Sequence, residues 1–123
     1  MSSQFTPMLD GLTRQRGVRA ALVASEQDGI VIDSSMQIGQ SGDRVAALAA
    51  SLYRKARLSA RAAHLGAVSF MQLEAPMGRL CAVGAGPMVL IVVAHTSANV
   101  GLIRVEMLRA AAELPALAEG SAA

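Results

Sequence analysis

Two adjoining segments near the end of the chain show the clearest hydrophobic pattern. Residues 88–94, MVLIVVA, are continuously apolar, which is typical of a strand buried on both faces. Residues 100–111, VGLIRVEMLRAA, predict a helix that is apolar nearly all the way round. Such a helix needs more than one surface to bury itself against. In a short chain we expect the second surface to belong to a partner, which favours an interaction module over an enzyme.

The N-terminal part predicts a short helix followed by a hairpin. Thr6 is the expected N-cap of this helix, with Pro7 in its first turn, and Gly17 is expected to end it. Residues 18–25 and 30–34 have the pattern of strands. The Asp28-Gly29 pair between them is a strong hairpin signal, because glycine adopts a positive φ at little cost.

The middle of the chain predicts a long alanine-rich helix. A loop over residues 39–42 precedes it, with Ser41 as the expected N-cap. The helix is expected to run to His64, and Gly66 is expected to end it.

The C-terminal part predicts three strands and a last helix. The strands are expected at 67–74, 79–85 and 88–95, separated by Pro- and Gly-containing turns. Asn99 and its neighbours offer caps for the last helix, whose predicted inner face contains Val100, Ile103, Met107, Ala110 and Leu114. Pro115 is expected to break this helix, leaving residues 115–123 as a short flexible tail.

This order of elements predicts one domain over residues 1–123, with a core at about 5–114. The two hairpin groups indicate an α/β (α+β) fold in which helices cover both faces of a five-stranded antiparallel sheet. The chain shows no internal repeat and no linker.

At 100° per residue, the middle helix has two distinct faces. One face, expected to pack on the core, contains Val45, Leu48, Ala49, Leu52, Tyr53, Ala56, Ala60 and Ala63. A separate stripe contains Arg54, Arg57 and Arg61, with Ala46, Ala47 and Ala50 on the same side one or two turns earlier. Two interpretations of the stripe stay open: a solvated helix face, and a contact with an acidic partner that small residues allow to approach closely.

Composition narrows the possible functions. The 123 residues are 53% hydrophobic and 2% aromatic, with a formal charge of +2. So few aromatic side chains do not suit single-stranded nucleic acid. The longest apolar run is far below the roughly 20 residues of a membrane-spanning helix. The first residues are not typical of a secretory leader, so we expect a cytoplasmic protein.

The residues that usually carry chemistry are scattered. The one lysine, Lys55, has no glycine cradle for a phosphate-binding loop. Cys81, His64 and His95 lack metal-ligand spacing, so no metal or cofactor is expected. A Cys81–His95 nucleophile pair is one interpretation, but the apolar strand around Cys81 favours a buried, inert thiol.

Several motifs together resemble the Roadblock/dynein light-chain family, and within it the bacterial MglB-like members. They are Gly17-Val18 before the first strand, Asp28-Gly29 in the hairpin, and Gly42-Asp43 at the start of the middle helix. The segment 99–107, NVGLIRVEM, is the closest match to the family pattern. The resemblance covers about residues 5–114, and the family has no catalytic signature.

The resemblance implies strand order 2-1-5-4-3 and homo- or heterodimers in which middle helices pack together and third strands pair. On this chain we expect a homodimer interface containing Leu48, Leu52, Val68, Phe70 and Gln72. The resemblance also implies regulation or scaffolding of a Ras-like small GTPase. We expect the partner surface to contain Ala46, Ala47, Ala50, Arg54, Arg57 and Arg61.

Two alternatives stay open. In the first, the chain is a dimerisation scaffold without a GTPase partner. In the second, it is a sensor that binds a small ligand. A sensor needs a pocket with a few polar groups, for which Ser25, Gln27, Ser34 and Gln72 are the candidates. Leu102, Val105 and Leu108 of the last helix either cover the first helix or face a partner.

Overall fold

The computed structural model describes residues 4–36 and 42–122, apart from the side chains of residues 36 and 120–122. These residues form three helices and five strands in the predicted order. The bounds are α1 Thr6–Thr13, β1 Val18–Ser25, β2 Val31–Met36, α2 Gly42–Ala62, β3 Met71–Ala75, β4 Gly78–Ala85, β5 Met88–Ala94 and α3 Val100–Ala122. The loop predicted at 39–42 and the Ser41 cap lie outside the described residues, except for Gly42, which begins α2.

The strands form one antiparallel sheet in the order β2-β1-β5-β4-β3, which confirms the expected strand order. β5 lies in the centre, with Ile91 opposite Leu22 of β1 and Val92 opposite Cys81 of β4. β2 and β3 are the two edges of the sheet among the described strands. The central position explains why β5 is continuously apolar.

Each face of the sheet carries its own hydrophobic cluster. On one face, Leu90 and Val92 of β5 pack with residues of α1 and α3. On the other, Val89 and Ile91 pack with residues of α2. Successive side chains of a strand point to opposite faces, so β5 contributes to both clusters. Burying each of these side chains contributes about 1.5–3 kcal/mol.

The β1–β2 turn forms where Asp28-Gly29 predicts it. Asp28 Oδ1 accepts a hydrogen bond from the backbone N–H of Ile30 at 3.1 Å. Gly29 has a φ of 71°, and a Cβ there would lie 2.8 Å from Cα of Ala47. Both the backbone conformation and the close passage of α2 therefore require glycine.

α1 and β2 differ slightly from their predicted bounds. α1 begins at Thr6 with Phe5, not Thr6, as its N-cap, and it ends at Thr13. Gly17, expected to end the helix, instead has a φ of 88° just before β1. β2 begins at Val31 and extends to Met36.

β3 is displaced relative to the predicted strand 67–74, and covers only Met71–Ala75. If the register of β3 with β4 continued, Ser69 would lie opposite Gly84. The Gly84 backbone is hydrogen-bonded to the Tyr53 hydroxyl, so a side chain of α2 already occupies the backbone site with which Ser69 would pair. Val68 and Phe70 consequently lie outside the strand.

The C-terminus of α2 also differs from its predicted position. The helix ends at Ala62, before the predicted His64. His64 has a φ of 60°. Its N–H donates to the Arg61 carbonyl at 3.1 Å, and the Leu65 N–H donates to the Ala60 carbonyl at 2.8 Å. These two bonds form a Schellman cap with histidine in the left-handed position that glycine usually occupies.

α3 continues through Pro115 to Ala122, so the predicted break at Pro115 is wrong. Proline removes one backbone hydrogen bond, but apolar contacts hold the helix on both sides of it. Leu114 is fully buried, and Leu117 packs partly against the same cluster. The start of α3 is confirmed, because Asn99 Oδ1 accepts a hydrogen bond from the Leu102 N–H at 3.1 Å.

We expect His64→Gly to raise the free energy of unfolding by about 0.5–1 kcal/mol. Relief of left-handed strain should outweigh the entropy that glycine adds to the unfolded chain. Urea denaturation measures the change. The matched control is Gly66→Ala: its φ is 91° and no atom lies within 4 Å of an added Cβ, so strain alone should lower stability. Destabilisation by both variants would contradict the assignment of left-handed strain to His64.

Candidate partner-binding surface

α2 contacts the sheet through its smallest side chains. Ala46, Ala49, Ala50 and Tyr53 are its buried residues. The predicted partner surface included Ala46 and Ala50, and their burial contradicts this assignment. The helix is rotated relative to the predicted core face, because alanines allow its backbone to lie close to the sheet. Ala47 is exposed but passes directly over Gly29.

This rotation leaves the larger apolar side chains of α2 exposed. Leu48 is 65% exposed and Leu52 is 39% exposed, although both were predicted to share a face with buried Ala49 and Tyr53. They are one helical turn apart and lie on the same side of the helix. Leu58 is also half exposed. A helix that buries alanines and exposes leucines has apolar surface available for a partner.

The arginine stripe lies on the opposite side of α2 from Leu48, and two of its members are used within the chain. Arg54 Nη1 donates to the carbonyls of Glu26 at 3.2 Å and Gln27 at 2.7 Å. Arg57 donates from Nε and Nη2 to Glu26 Oε1 at 3.1 and 2.7 Å. The stripe therefore attaches α2 to the β1–β2 turn, a role the sequence pattern did not predict.

The Arg57–Glu26 pair is partly shielded from water. The exposed fractions of the side chains are 37% for Arg57 and 14% for Glu26. The hydrogen bond to Glu26, and then the charge of that carboxylate, raise the pKa of Arg57. Arg61, the third member of the stripe, is exposed and makes no ion pair with any residue in the described ranges.

Around β3, the predicted interface residues have different surroundings. Gln72 is exposed on the strand, whereas Val68 and Phe70 are partly buried in the connection before it. Phe70 packs against the α1/α3 cluster, and its ring centroid is 5.3 Å from Cζ of Arg104. The outer edge of β3 has no strand partner among the described residues.

Two of the four candidate sensor residues line one cavity. Ser25 and Gln27 border a space of about 450 Å³ together with Glu26, Arg54, Arg57, Gly86 and Pro87. Ser34 and Gln72 lie elsewhere, on β2 and β3. Both arginines are bonded to the turn on one wall, and the carboxylate of Glu26 belongs to the same lining, so the lining carries charges of both signs.

The Cys81–His95 pair is not assembled. Cys81 is fully buried, and burial raises the pKa of its thiol, as expected for an inert thiol. His95 is exposed and its ring nitrogens lie 3.1 and 2.9 Å from the Arg19 guanidinium. Within residues 4–36 and 42–122, no group of three or more His, Cys, Asp or Glu is placed to hold a metal ion.

α3 buries the inner face that the periodicity predicts. Ile103, Met107, Ala110 and Leu114 are buried, and Val100 is partly buried. Leu102, Val105 and Leu108 remain 37–51% exposed. Among the described helices, none combines the length and apolar character needed to cross a membrane.

A second cavity was missed from the sequence. Arg57, Arg61, His64, Gly66 and Ala67 line a space of about 470 Å³ at the C-terminal end of α2. The spacing of i, i+4 and i+7 for the three basic residues is a signal that could have indicated it.

Comparisons with known proteins agree with this fold. The sequence profile of the Roadblock/LC7 domain matches residues 6–95. An uncharacterized protein of Methanocaldococcus jannaschii is 29% identical over 106 residues, covering 86% of this chain and 92% of that protein.

Two solved structures are similar. A Roadblock/LC7 domain from Streptomyces avermitilis has a TM-score of 0.79 and 28% identity, covering 89% of this chain and 94% of that one. MglB from Myxococcus xanthus has a TM-score of 0.83 and 20% identity, covering 95% and 89%. At this lower identity, the likeness to MglB concerns the fold.

We expect Glu26 and Arg57 to be energetically coupled. In a double-mutant cycle with Glu26→Gln and Arg57→Gln, the coupling free energy should be favourable and should shrink at high salt, because screening weakens the pair. Urea denaturation at two salt concentrations measures it. The Glu74–Arg79 pair is the control: its atoms are 3.4 Å apart and Glu74 is 62% exposed, so its coupling should be weaker. Equal coupling in both pairs would contradict an anchoring role for Arg57.

Proposed function

The chain belongs to the Roadblock/LC7 domain family, and we propose that it is a non-catalytic, homodimeric module that binds and regulates or scaffolds a Ras-like small GTPase. The observation that carries the proposal is the inverted packing of α2, which buries alanines and exposes Leu48 and Leu52. The GTPase partner comes from the family resemblance.

Two kinds of incomplete surface support the dimer. The leucines of α2 offer exposed apolar area, and the outer edge of β3 offers backbone groups without a partner strand among the described residues. An unpaired edge strand is prone to uncontrolled association unless something covers it. A second copy that packs helix on helix and pairs strand with strand would cover both. Stable interfaces of this kind bury well over about 1,000 Å².

The burial pattern changes the proposed GTPase surface. Ala46 and Ala50 are withdrawn from it because they face the sheet. Arg54 and Arg57 are bonded to the β1–β2 turn, so we assign them to positioning the helix. Ala47 and Arg61 stay in the proposed surface, because both are exposed. The guanidinium of Arg61, which forms no ion pair within the described part of the chain, can make bidentate bonds to a carboxylate on the GTPase.

We expect Leu48→Glu to dissociate the homodimer without unfolding the protomer. The side chain is mostly exposed within one protomer, so a charge costs little there, whereas burial of that charge in an interface is unfavourable. Light scattering at micromolar concentration measures the mass, and circular dichroism checks the fold.

The matched control is Leu102→Glu, on α3 across the sheet, where the side chain is 47% exposed. It should stay dimeric. A wild-type mass of only 12.7 kDa would contradict the dimer, and a dimeric Leu48→Glu would exclude this part of α2 from the interface.

We expect Arg61→Glu to weaken binding to a Ras-like GTPase from the same genome, and to do so more at low salt than at high salt. A rim charge mainly changes the association rate and its salt dependence. Surface plasmon resonance with the purified, nucleotide-loaded GTPase measures both rates. Arg14→Glu makes the same charge change at the C-cap of α1, on the other side of the sheet, and should leave binding unchanged. Equal effects of the two variants would remove Arg61 from the surface.

A further inference from the structure

The cavity at the C-terminal end of α2 is lined on its polar side only by basic residues. Arg57 and Arg61 approach it from the helix, and His64 from the first residues after the helix. Gly66 and Ala67 complete the lining. No acidic side chain belongs to the described lining, which is unusual for a surface on which charges of both signs are usually mixed.

The internal bonds of the chain do not neutralise this cluster. Glu26 accepts hydrogen bonds from Arg57 through Nε and Nη2, which leaves Nη1 of Arg57 without a bond to that carboxylate. Arg61 makes no ion pair with a described residue. Two guanidinium groups thus border one cavity with a single carboxylate beside them, and an additional anion would relieve their repulsion.

The Schellman cap fixes the third basic residue relative to the other two. The bonds from His64 to Arg61 and from Leu65 to Ala60 hold the chain reversal immediately after α2. A histidine here carries a conformational cost that a glycine would avoid, and its imidazole offers an N–H donor to the cavity. Beside Gly66 the space is open, with no atom of the described residues within 4 Å of an added Cβ, so a ligand can reach the backbone.

We propose that this cavity binds the phosphate group of a small phosphate monoester. Three basic groups around one space match the several acceptor oxygens of a phosphate, whereas a carboxylate is satisfied by a single guanidinium fork. The volume of about 470 Å³ exceeds that of a phosphate group and falls in the range of small-molecule sites. The negative end of the helix dipole opposes an anion with only about half a charge, against two full guanidinium charges.

This site goes beyond the proposed function, because it requires neither a GTPase nor a dimer. The test is a titration of the ¹⁵N-labelled full chain with glycerol 3-phosphate, inorganic phosphate and acetate, at constant ionic strength maintained with chloride. We expect saturable shifts at residues 57, 61, 64 and 66. Glycerol 3-phosphate should bind at least as tightly as inorganic phosphate, and acetate more weakly. Tighter binding of acetate, or exclusion of the ester, would overturn the proposal.

Two variants distinguish a specific binding site from a non-specific attraction of the anion to positive charge. Arg61→Ala should weaken binding of glycerol 3-phosphate roughly ten- to a hundredfold, the usual effect of removing a charge-assisted hydrogen bond. Lys55→Ala removes the same charge from an exposed position of the same helix outside the cavity, and should bind as the wild type does. Equal losses in both variants, or no loss in Arg61→Ala, would overturn the proposal.

Two further variants test the geometry. Glu26→Gln should tighten binding, because it releases Arg57 toward the cavity. His64→Gly should weaken binding while it raises the melting temperature, a combination that a purely structural role of His64 does not produce. Unchanged binding in both variants would overturn the three-residue site.

Discussion

The structure depends on the close approach of α2 to the sheet. The helix is in contact through Ala46, Ala49 and Ala50, whose side chains are single methyl groups. At Gly29 there is no room for a Cβ beside Ala47. Protein interiors are packed to a density at which one additional carbon is felt. A larger residue at any of these positions would therefore lift the helix and separate it from the turn that it contacts.

This approach determines which residues stay available. Because small residues occupy the inner side of α2, Leu48 and Leu52 are left exposed on its outer side. Tyr53 extends the same contact further along the helix. Its hydroxyl bonds the Gly84 backbone, and burial raises its pKa. A Cβ on Gly84 would lie 2.8 Å from Cζ of Tyr53. The same contact limits the length of β3, and so the edge that a second copy would pair with.

The three arginines of the stripe make different contacts because their surroundings differ. Arg54 and Arg57 meet the β1–β2 turn, where a carboxylate and two carbonyls accept their hydrogen bonds. One turn further, Arg61 makes no ion pair with a described residue. It borders a cavity with His64 instead. Neighbouring turns of one helix thus have different surroundings: one is anchored to the β1–β2 turn, and the next borders the cavity proposed as a phosphate site.

The sequence by itself determined the element order, the hairpin at Asp28-Gly29, the central strand β5 and the inner face of α3. Each of these follows from local rules: a period of 2 or 3.6, or the backbone freedom of glycine. The strand order came from the family resemblance and not from periodicity. Pro115 shows the limit of a local rule, because packing of Leu114 and Leu117 outweighs the lost hydrogen bond.

Only the tertiary structure decided the rotation of α2 and the partners of its arginines. A helical wheel gives the relative angles of side chains but not which angle faces the sheet. The side that faces the sheet depends on how closely the helix can approach it. This distance is determined jointly by small residues that are far apart in sequence. The pairing of Arg57 with Glu26 spans 31 residues, and no local pattern records it. The exposed leucines and the basic cavity therefore result from tertiary packing. The sequence contains these residues but does not specify which of them come together or stay exposed.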